Sequence, residues 1–335
     1  MKQLIAFLIF ISVANNYLVG QELFPLHEPA SNIPKGVFGI RATSEHTVEL
    51  DQFRNQFTGK LMYGILKNWE IEAQAEYSNH HGNALPVNLI NHTHNGSLTN
   101  YYATQKVYGI PYPYLFSGFY FYSKYRFLSL DDEGSHLRAS LFAEYSTTNV
   151  AHDEAEPNLE GDTGGEGGGL VVTYLYQKFA ISLTSGVIIP GTYHDIKYDK
   201  THSPGVFYTN LSYGKAIHYD LSLGYLLYPK TYGSYSDLNI NVYAEFEGKS
   251  YDSAIIHQNG GPVEAKTSTL KKGNYIDFYP SIQFIFNSNT RIDATMGFSL
   301  YNKSYTHFYP MVLLGVQRYI FMHAPISKPK TPKTL

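Results

Sequence analysis

The residues best suited to chemistry in this 335-residue chain are histidines and carboxylates, gathered in stretches that lack a regular pattern. His80-His81 and His92-x-His94 share one such stretch; His152, Asp153, Glu154 and Glu156 share another, followed by Asp162. Imidazole and carboxylate together suit a divalent transition ion such as zinc or copper. His80, His81, His92, His94, His152 and Glu154 form the candidate ligand set. Only neutral imidazole offers the metal a lone pair, so such a site weakens as pH falls through about 6.5. No helical spacing fixes these residues, and solvated surface histidines are the competing reading. No GxSxG elbow, Walker loop or HExxH is present. A hydrolytic site built on His80 and Asp153 therefore has no motif joining it to a nucleophile. Gly164–Gly169 (GGEGGG) opens a strand, whereas a phosphate cradle needs a helix N-terminus. These glycines read as places where the backbone bends or flattens.

Those stretches lie between segments of period two. Trp69, Ile71, Ala73, Ala75 and Tyr77 alternate with Glu70, Glu72, Gln74 and Glu76. Leu238, Ile240, Val242, Ala244 and Phe246 alternate with Asn239, Asn241, Glu245 and Glu247 in part of the same manner. Such dyads mean strands with one apolar and one polar face. Twelve segments are read: 36–47, 56–66, 69–80, 116–130, 136–148, 166–177, 178–190, 213–229, 237–250, 274–287, 291–302 and 307–321. Most exceed the roughly 5 to 6 residues of a globular strand and suit a tilted bilayer crossing of about 9–11 residues plus extensions. The 31 Tyr and 20 Phe, against one Trp, suit a surface half apolar and half wet.

The links alternate in length. Short turns at 67–68, 131–135, 177–178, 230–237 and 287–290 are separated by longer links at 81–115, 149–165, 191–212 and 251–273. The expected fold class is all-β: a transmembrane antiparallel β-barrel of about 12 strands, with short periplasmic turns and longer outer loops. A secreted β-sandwich also alternates and is the competing fold, but strand length and loop asymmetry weigh against it. Residues 1–20 read as a signal peptide: Lys2 precedes the apolar run Leu4–Val13, about half the length of a spanning helix. Residues 21–35 read as a periplasmic N-terminal segment, 36–321 as the barrel, and 322–335 as a Lys- and Pro-rich disordered periplasmic tail. The closing strand ends in Tyr319-Ile320-Phe321, like the assembly signal of outer-membrane barrels, although the chain continues beyond it. Absence of cysteine excludes disulfides, thiolate metal sites and a lipid-anchored N-terminal Cys. A net charge of −3 with no basic block argues against nucleic-acid binding.

Several pieces, LFPLHEPASNIPKG (23–36), SNHHGN (78–83), YFYSKYRFLS (120–129), HYDLSLGYLLYPK (218–230) and NVYAEFEGK (241–249), resemble a family of uncharacterised outer-membrane β-barrel proteins of Bacteroidetes. The resemblance implies location and fold and carries no activity. On the polar strand faces, Arg41, Lys60, Lys124, Arg126 and Arg138 oppose Glu70, Glu72, Glu76, Glu144, Asp220, Glu245, Glu247, Asp277 and Asp293. This lumen-lining set reads either as a transverse field across a pore or as an ion-pair network filling a narrow barrel. The leading expectation is an outer-membrane channel or transporter for small polar solutes or metal ions. Its partners would be outer-membrane lipid and the barrel assembly machinery. An enzyme at the outer rim, or a barrel that binds and displays loops without transport, are the alternatives.

Overall fold

The computed structural model describes residues 24–49, 52–79, 114–132, 134–149, 156–199, 205–229, 236–264, 270–304 and 309–321. They form β1 (Val37–Glu49), β2 (Gln52–Leu66), β3 (Trp69–Ser78), β4 (Leu115–Asp132), β5 (Ser135–Ser146), β6 (Gly165–Tyr176), β7 (Phe179–Pro190) and β8 (Thr192–Asp199). These are followed by β9 (Gly205–Ser212), β10 (Ala216–Tyr228), β11 (Asn239–Tyr251), β12 (Ile255–Gln258), β13 (Gly261–Val263), β14 (Gly273–Phe286), β15 (Thr290–Asn302) and β16 (Met311–Phe321). Twelve of them close into one antiparallel barrel in the order β1-β16-β15-β14-β11-β10-β7-β6-β5-β4-β3-β2. Closure runs through β1 and β16, from Val37 opposite Phe321 to His46 opposite Val312, so no strand of the barrel is left with an unpaired edge.

The dyads sort outward and inward. Leu61, Leu141 and Leu183 on the outer face are each more than half exposed, while Glu70, Lys124, Glu245 and Gln283 on the inner face are fully buried. This inverts a water-soluble protein. Water does not favour a continuous apolar belt of this kind, whereas hydrocarbon does. Exposed aromatics mark the belt's margins: Trp69, Tyr176, Phe179, Tyr228 and Phe286 near the end that carries the termini, Tyr77, Phe116, Phe119 and Tyr145 near the other.

Four of the five links at the termini end are tight, the β10–β11 link being longer. Asn287 and Ser288 both take positive φ (49° and 52°), the twist that suits a right-twisted hairpin. At the opposite end, the stretches 191–212 and 251–273, expected as links, contain β8, β9, β12 and β13. These form a separate four-stranded sheet in the order β13-β12-β9-β8. Its own small core is Leu211, Tyr213, Ile256 and Leu270. The β12–β13 hairpin turns at Asn259-Gly260, both at positive φ (52° and 81°). Because Leu211 and Tyr213 belong to that core, the barrel strand expected at 213–229 begins only at Ala216.

Candidate functional site

Residues 24–35, expected as a periplasmic segment, are folded into the barrel lumen. Pro25, Pro29 and Pro34 keep this stretch out of any helix, since proline lacks a backbone N–H and clashes with the preceding turn. It joins no ladder beyond an isolated bridge between Lys35 and Gly64. Its buried backbone groups must then be satisfied by side chains of the wall. The Glu245 carboxylate accepts from the Leu26 and His27 amides, each at 3.1 Å. The Ala30 N–H donates to Thr173 Oγ1 (2.8 Å), and Ser140 Oγ donates to the Ala30 carbonyl (2.7 Å). Lys124 Nζ donates to the Pro29 carbonyl (2.6 Å), Arg41 to the Pro25 carbonyl (2.6 Å), and the Ile33 N–H to Glu70 (2.5 Å).

Side chains of the segment add ionic contacts. His27 Nδ1 lies 3.1 Å from Glu245 and 3.2 Å from Ser222, and its Nε2 lies 3.6 Å from Asp220. Glu28 meets Lys60 at 3.2 Å and Lys124 at 3.8 Å; those lysines also hold Glu72 (3.1 Å) and Glu70 (2.7 Å). Arg138 donates to Ser31 Oγ (2.9 Å). Apolar contacts pin the two ends of the segment. Phe24 packs edge-on to Tyr243 with centroids 5.8 Å apart, and Ile33 packs with Val37, Met62 and Tyr319. Where the segment crosses β2, a Cβ at Gly64 would collide with the Pro34 carbonyl oxygen, so glycine sets how closely the two can approach.

A second insertion comes from the loop end. Leu159 is buried among Tyr120, Tyr122, Phe142, Ile188, Ala216 and Tyr251. Glu156 accepts from Lys249 (2.6 Å) and from the Tyr275 hydroxyl (2.9 Å), and Gln74 donates to Glu160 (3.4 Å). Thr163 and Asp162 amides close the turn on the Asn158 carbonyl, at 2.8 and 3.2 Å.

Between the two insertions lies a chamber of about 290 Å³. Pro25–Glu28 line it on one side, Asn158–Glu160 on the other, and the wall contributes both charges and aromatic rings. Eight carboxylates face it against three permanent cations, Arg41, Lys60 and Lys249. A further space of about 290 Å³ lies toward the termini end, bounded by Ser31, Arg138, Thr173, Asn241 and Tyr243. A smaller one of about 130 Å³ runs beside Leu26, between β1–β2 and Glu156, Asn158 and Asp162. Residues of the inserted segment thus stand between the chamber and the termini-end space.

The lumen residues expected from sequence fall into groups. Arg41, Lys60, Glu70, Lys124, Arg138, Asp220 and Glu245 touch the inserted segment, and Glu72 does so through Lys60. Glu144 and Glu247 face the chamber, and Glu76 sits against Gly161 of the inserted loop. Asp277 accepts from the Tyr309 hydroxyl (2.5 Å), and Arg126 donates to the Lys67 carbonyl at the termini-end turn (3.0 Å). Asp293 pairs with Arg41 at 3.1 Å. The wall charges therefore hold peptide, a third arrangement beside the transverse field and the self-contained ion-pair network. Sequence reasoning missed His27, Glu28 and His218. The candidate metal ligands His80, His81, His92, His94, His152 and Glu154, with Asp153, lie outside the described residues. Oxygens of Glu28, Glu70 and Glu72 do come within 4.8 Å of one another, but the Lys60 and Lys124 ammonium groups already sit among them.

This architecture is the outer-membrane β-barrel fold. The chain is similar to an outer membrane channel from Pseudomonas putida F1, with a TM-score of 0.53, 11% identity, and coverage of 89% of this chain and 100% of that one. Weaker likenesses reach the NanC porin (TM-score 0.40, 8% identity, 85% and 98% covered) and the Pseudomonas putida toluene transporter TodX (0.32, 9%, 84% and 87%). No protein-family model matches the chain, and no curated protein matches it in sequence.

Proposed function

We propose that this chain is an outer-membrane channel or transporter for small polar solutes. Residues 24–35 close its periplasmic side and residues 156–163 constrict its outer side. The chamber is the observation that carries this reading: a space of about 290 Å³, lined by charged and apolar side chains alike, inside an apolar-belted wall. A lumen meant only to be filled would pack side chain against side chain. Here the wall lacks the bulk to do so, and two separate peptides narrow it. Both charge signs around a space of this size suit a solute that carries hydrogen-bonding groups. The outer-membrane channel it resembles in fold supports the same reading. Export by residues 1–20 belongs to the proposal, with a mature chain starting near Gln21. Metal ions as cargo rest on the loop histidines alone.

Liposome swelling tests it. Vesicles carrying the folded protein, full length or lacking residues 24–32, are placed in isosmotic small sugars or amino acids. Swelling by at least the shortened protein is expected. A correctly folded barrel that passes nothing in either form would instead be one that displays its outer loops and transports no solute.

A further inference from the structure

The chamber is uneven. Toward β5, β6, β7 and β10 the wall is stripped of side chains. Inward positions Gly167 and Gly169 on β6 and Gly186 on β7 carry only hydrogen. A Cβ at Gly167 would collide with Glu144 Oε1, one at Gly169 with the Phe142 ring, and one at Gly186 with His218 Nε2. The run GGEGGG thus makes room for the Glu144 and Phe142 side chains, and Gly186 makes room for His218.

The side of the chamber lined by Glu144, Phe142, His218 and Asp220 is chemically incomplete. Glu144 Oε2 accepts from the Tyr120 hydroxyl (2.8 Å), but its buried Oε1 has no hydrogen-bond partner. His218 Nδ1 faces Asp220 Oδ2 at 3.5 Å, while its buried Nε2 is unpartnered. The Asp220 carboxylate, whose side chain is 6% exposed, has an Oδ1 with no hydrogen bond and only His27 nearby, at 3.6 Å. Among the described residues, no lysine or arginine pairs with Glu144 or Asp220. The chamber's permanent cations are engaged elsewhere: Arg41 with Asp293, Lys60 with Glu28 and Glu72, Lys249 with Glu156. Asp220 has the His27 and His218 rings beside it, whereas Glu144 has, among the described residues, only the Tyr120 hydroxyl, and a carboxylate oxygen enclosed without a partner is costly.

Aromatic faces complete the picture. Tyr122 stacks on Phe142 with centroids 5.4 Å apart, Phe142 meets the His218 ring edge-on at 5.9 Å, and Leu159 covers the group. We infer that the recess of Glu144, His218 and Asp220, walled by Tyr120, Tyr122 and Phe142, binds a small organic ammonium ion. Its N–H groups donate to Glu144 Oε1 and to His218 Nε2, which is an acceptor in the tautomer whose Nδ1–H points at Asp220. Its charge is met by the two carboxylates, and its alkyl carbons lie on the rings, where a cation is also attracted to the π face. A chamber of about 290 Å³ is at the small end for ligand pockets, so the ion is compact. An anion would meet two carboxylates and no free permanent cation. An uncharged polyol would leave the negative charge unmet. The inference deepens the channel reading and rests on solute reaching the chamber.

Titration calorimetry on the full-length protein in detergent tests it, with ethylammonium, acetate and glycerol as probes at neutral pH. Saturable ethylammonium binding, with none for acetate or glycerol, is expected. Glu144→Gln should weaken it by about tenfold or more. If that variant lacks the compact band of a folded barrel on an unheated gel, Asp220→Asn is measured in its place, with the same loss expected. Equal binding of ethylammonium and acetate, or binding untouched by the substitution, would overturn the assignment. Glutamate-dependent binding by a barrel that passes no solute would leave the recess standing and remove the channel. Solute passage without ammonium binding would do the reverse.

Discussion

The two peptides inserted in the lumen are held by opposite means. The tip of the N-terminal segment, Leu26–Glu28, rests on hydrogen bonds and ion pairs to Glu245, Asp220, Lys60 and Lys124. The tip of the loop places Leu159 in a nest of aromatic and aliphatic side chains. A hydrogen bond to a charged group changes stability by about 1.5–3 kcal/mol, but water or a polar solute supplies a replacement partner when it is lost. Unburying a leucine costs roughly 1.5–3 kcal/mol with nothing in return. The tip of the segment can therefore exchange its contacts for water or solute while Phe24 and Ile33 stay anchored, whereas the tip of the loop cannot. On this account the segment is the movable closure and the loop the fixed constriction.

The largest effect tests the fixed part. Leu159→Ala should cost about 2–5 kcal/mol, as removal of a buried leucine side chain does. Urea unfolding in detergent would show it. A cost near zero would mean the loop tip is as exchangeable as the segment. Next comes the wall against which both are held. Leu221→Arg or Val242→Arg, on the outer face, should cost about 2–4 kcal/mol at mid-bilayer depth. Asn241→Arg, on the inner face, should cost much less, because the charge then enters a wet lumen. Equal costs in vesicle-refolding titrations would contradict the assignment of faces. The smallest effect concerns the segment. Glu245→Gln turns a two-oxygen acceptor into one acceptor oxygen and one amide NH2 donor, leaving one of the Leu26 and His27 amides without its partner. The segment should loosen by about 1–3 kcal/mol, while the barrel itself stays intact. Faster proteolysis of the segment with an unchanged gel shift would report it; unchanged proteolysis would mean the Glu245 bonds do not hold it.

All twelve wall strands were legible in the sequence because a barrel strand repeats its outward and inward choice every two residues. The expected 69–80 and 136–148 became Trp69–Ser78 and Ser135–Ser146. The sheet of β8, β9, β12 and β13 was not read, although Asn259-Gly260 between apolar pairs is a strong hairpin signal. Its strands are short, β12 and β13 having 4 and 3 residues, too few for a period of two to stand out. The inserted segment has no period at all. Its structure depends on partners such as Glu245, 219 positions away from Leu26, which no local pattern reveals. The signal present was compositional: His27 and Glu28 set among Phe24, Leu26, Ile33 and three prolines, too apolar for a free periplasmic tail. The glycines of β6 were read as bends. Their role is to make space, visible only once Glu144 and Phe142 are placed across from them.

Single-channel recording in planar bilayers, full-length protein beside a form lacking residues 24–32, addresses the movable closure most directly. Ile33 and the residues that lead into β1 are kept, so the barrel should close as before. The account predicts small or intermittent openings for the full-length protein and a severalfold larger, steady conductance for the shortened one. Equal conductance in the two forms, or two silent barrels that both show the folded band on unheated gels, would contradict it.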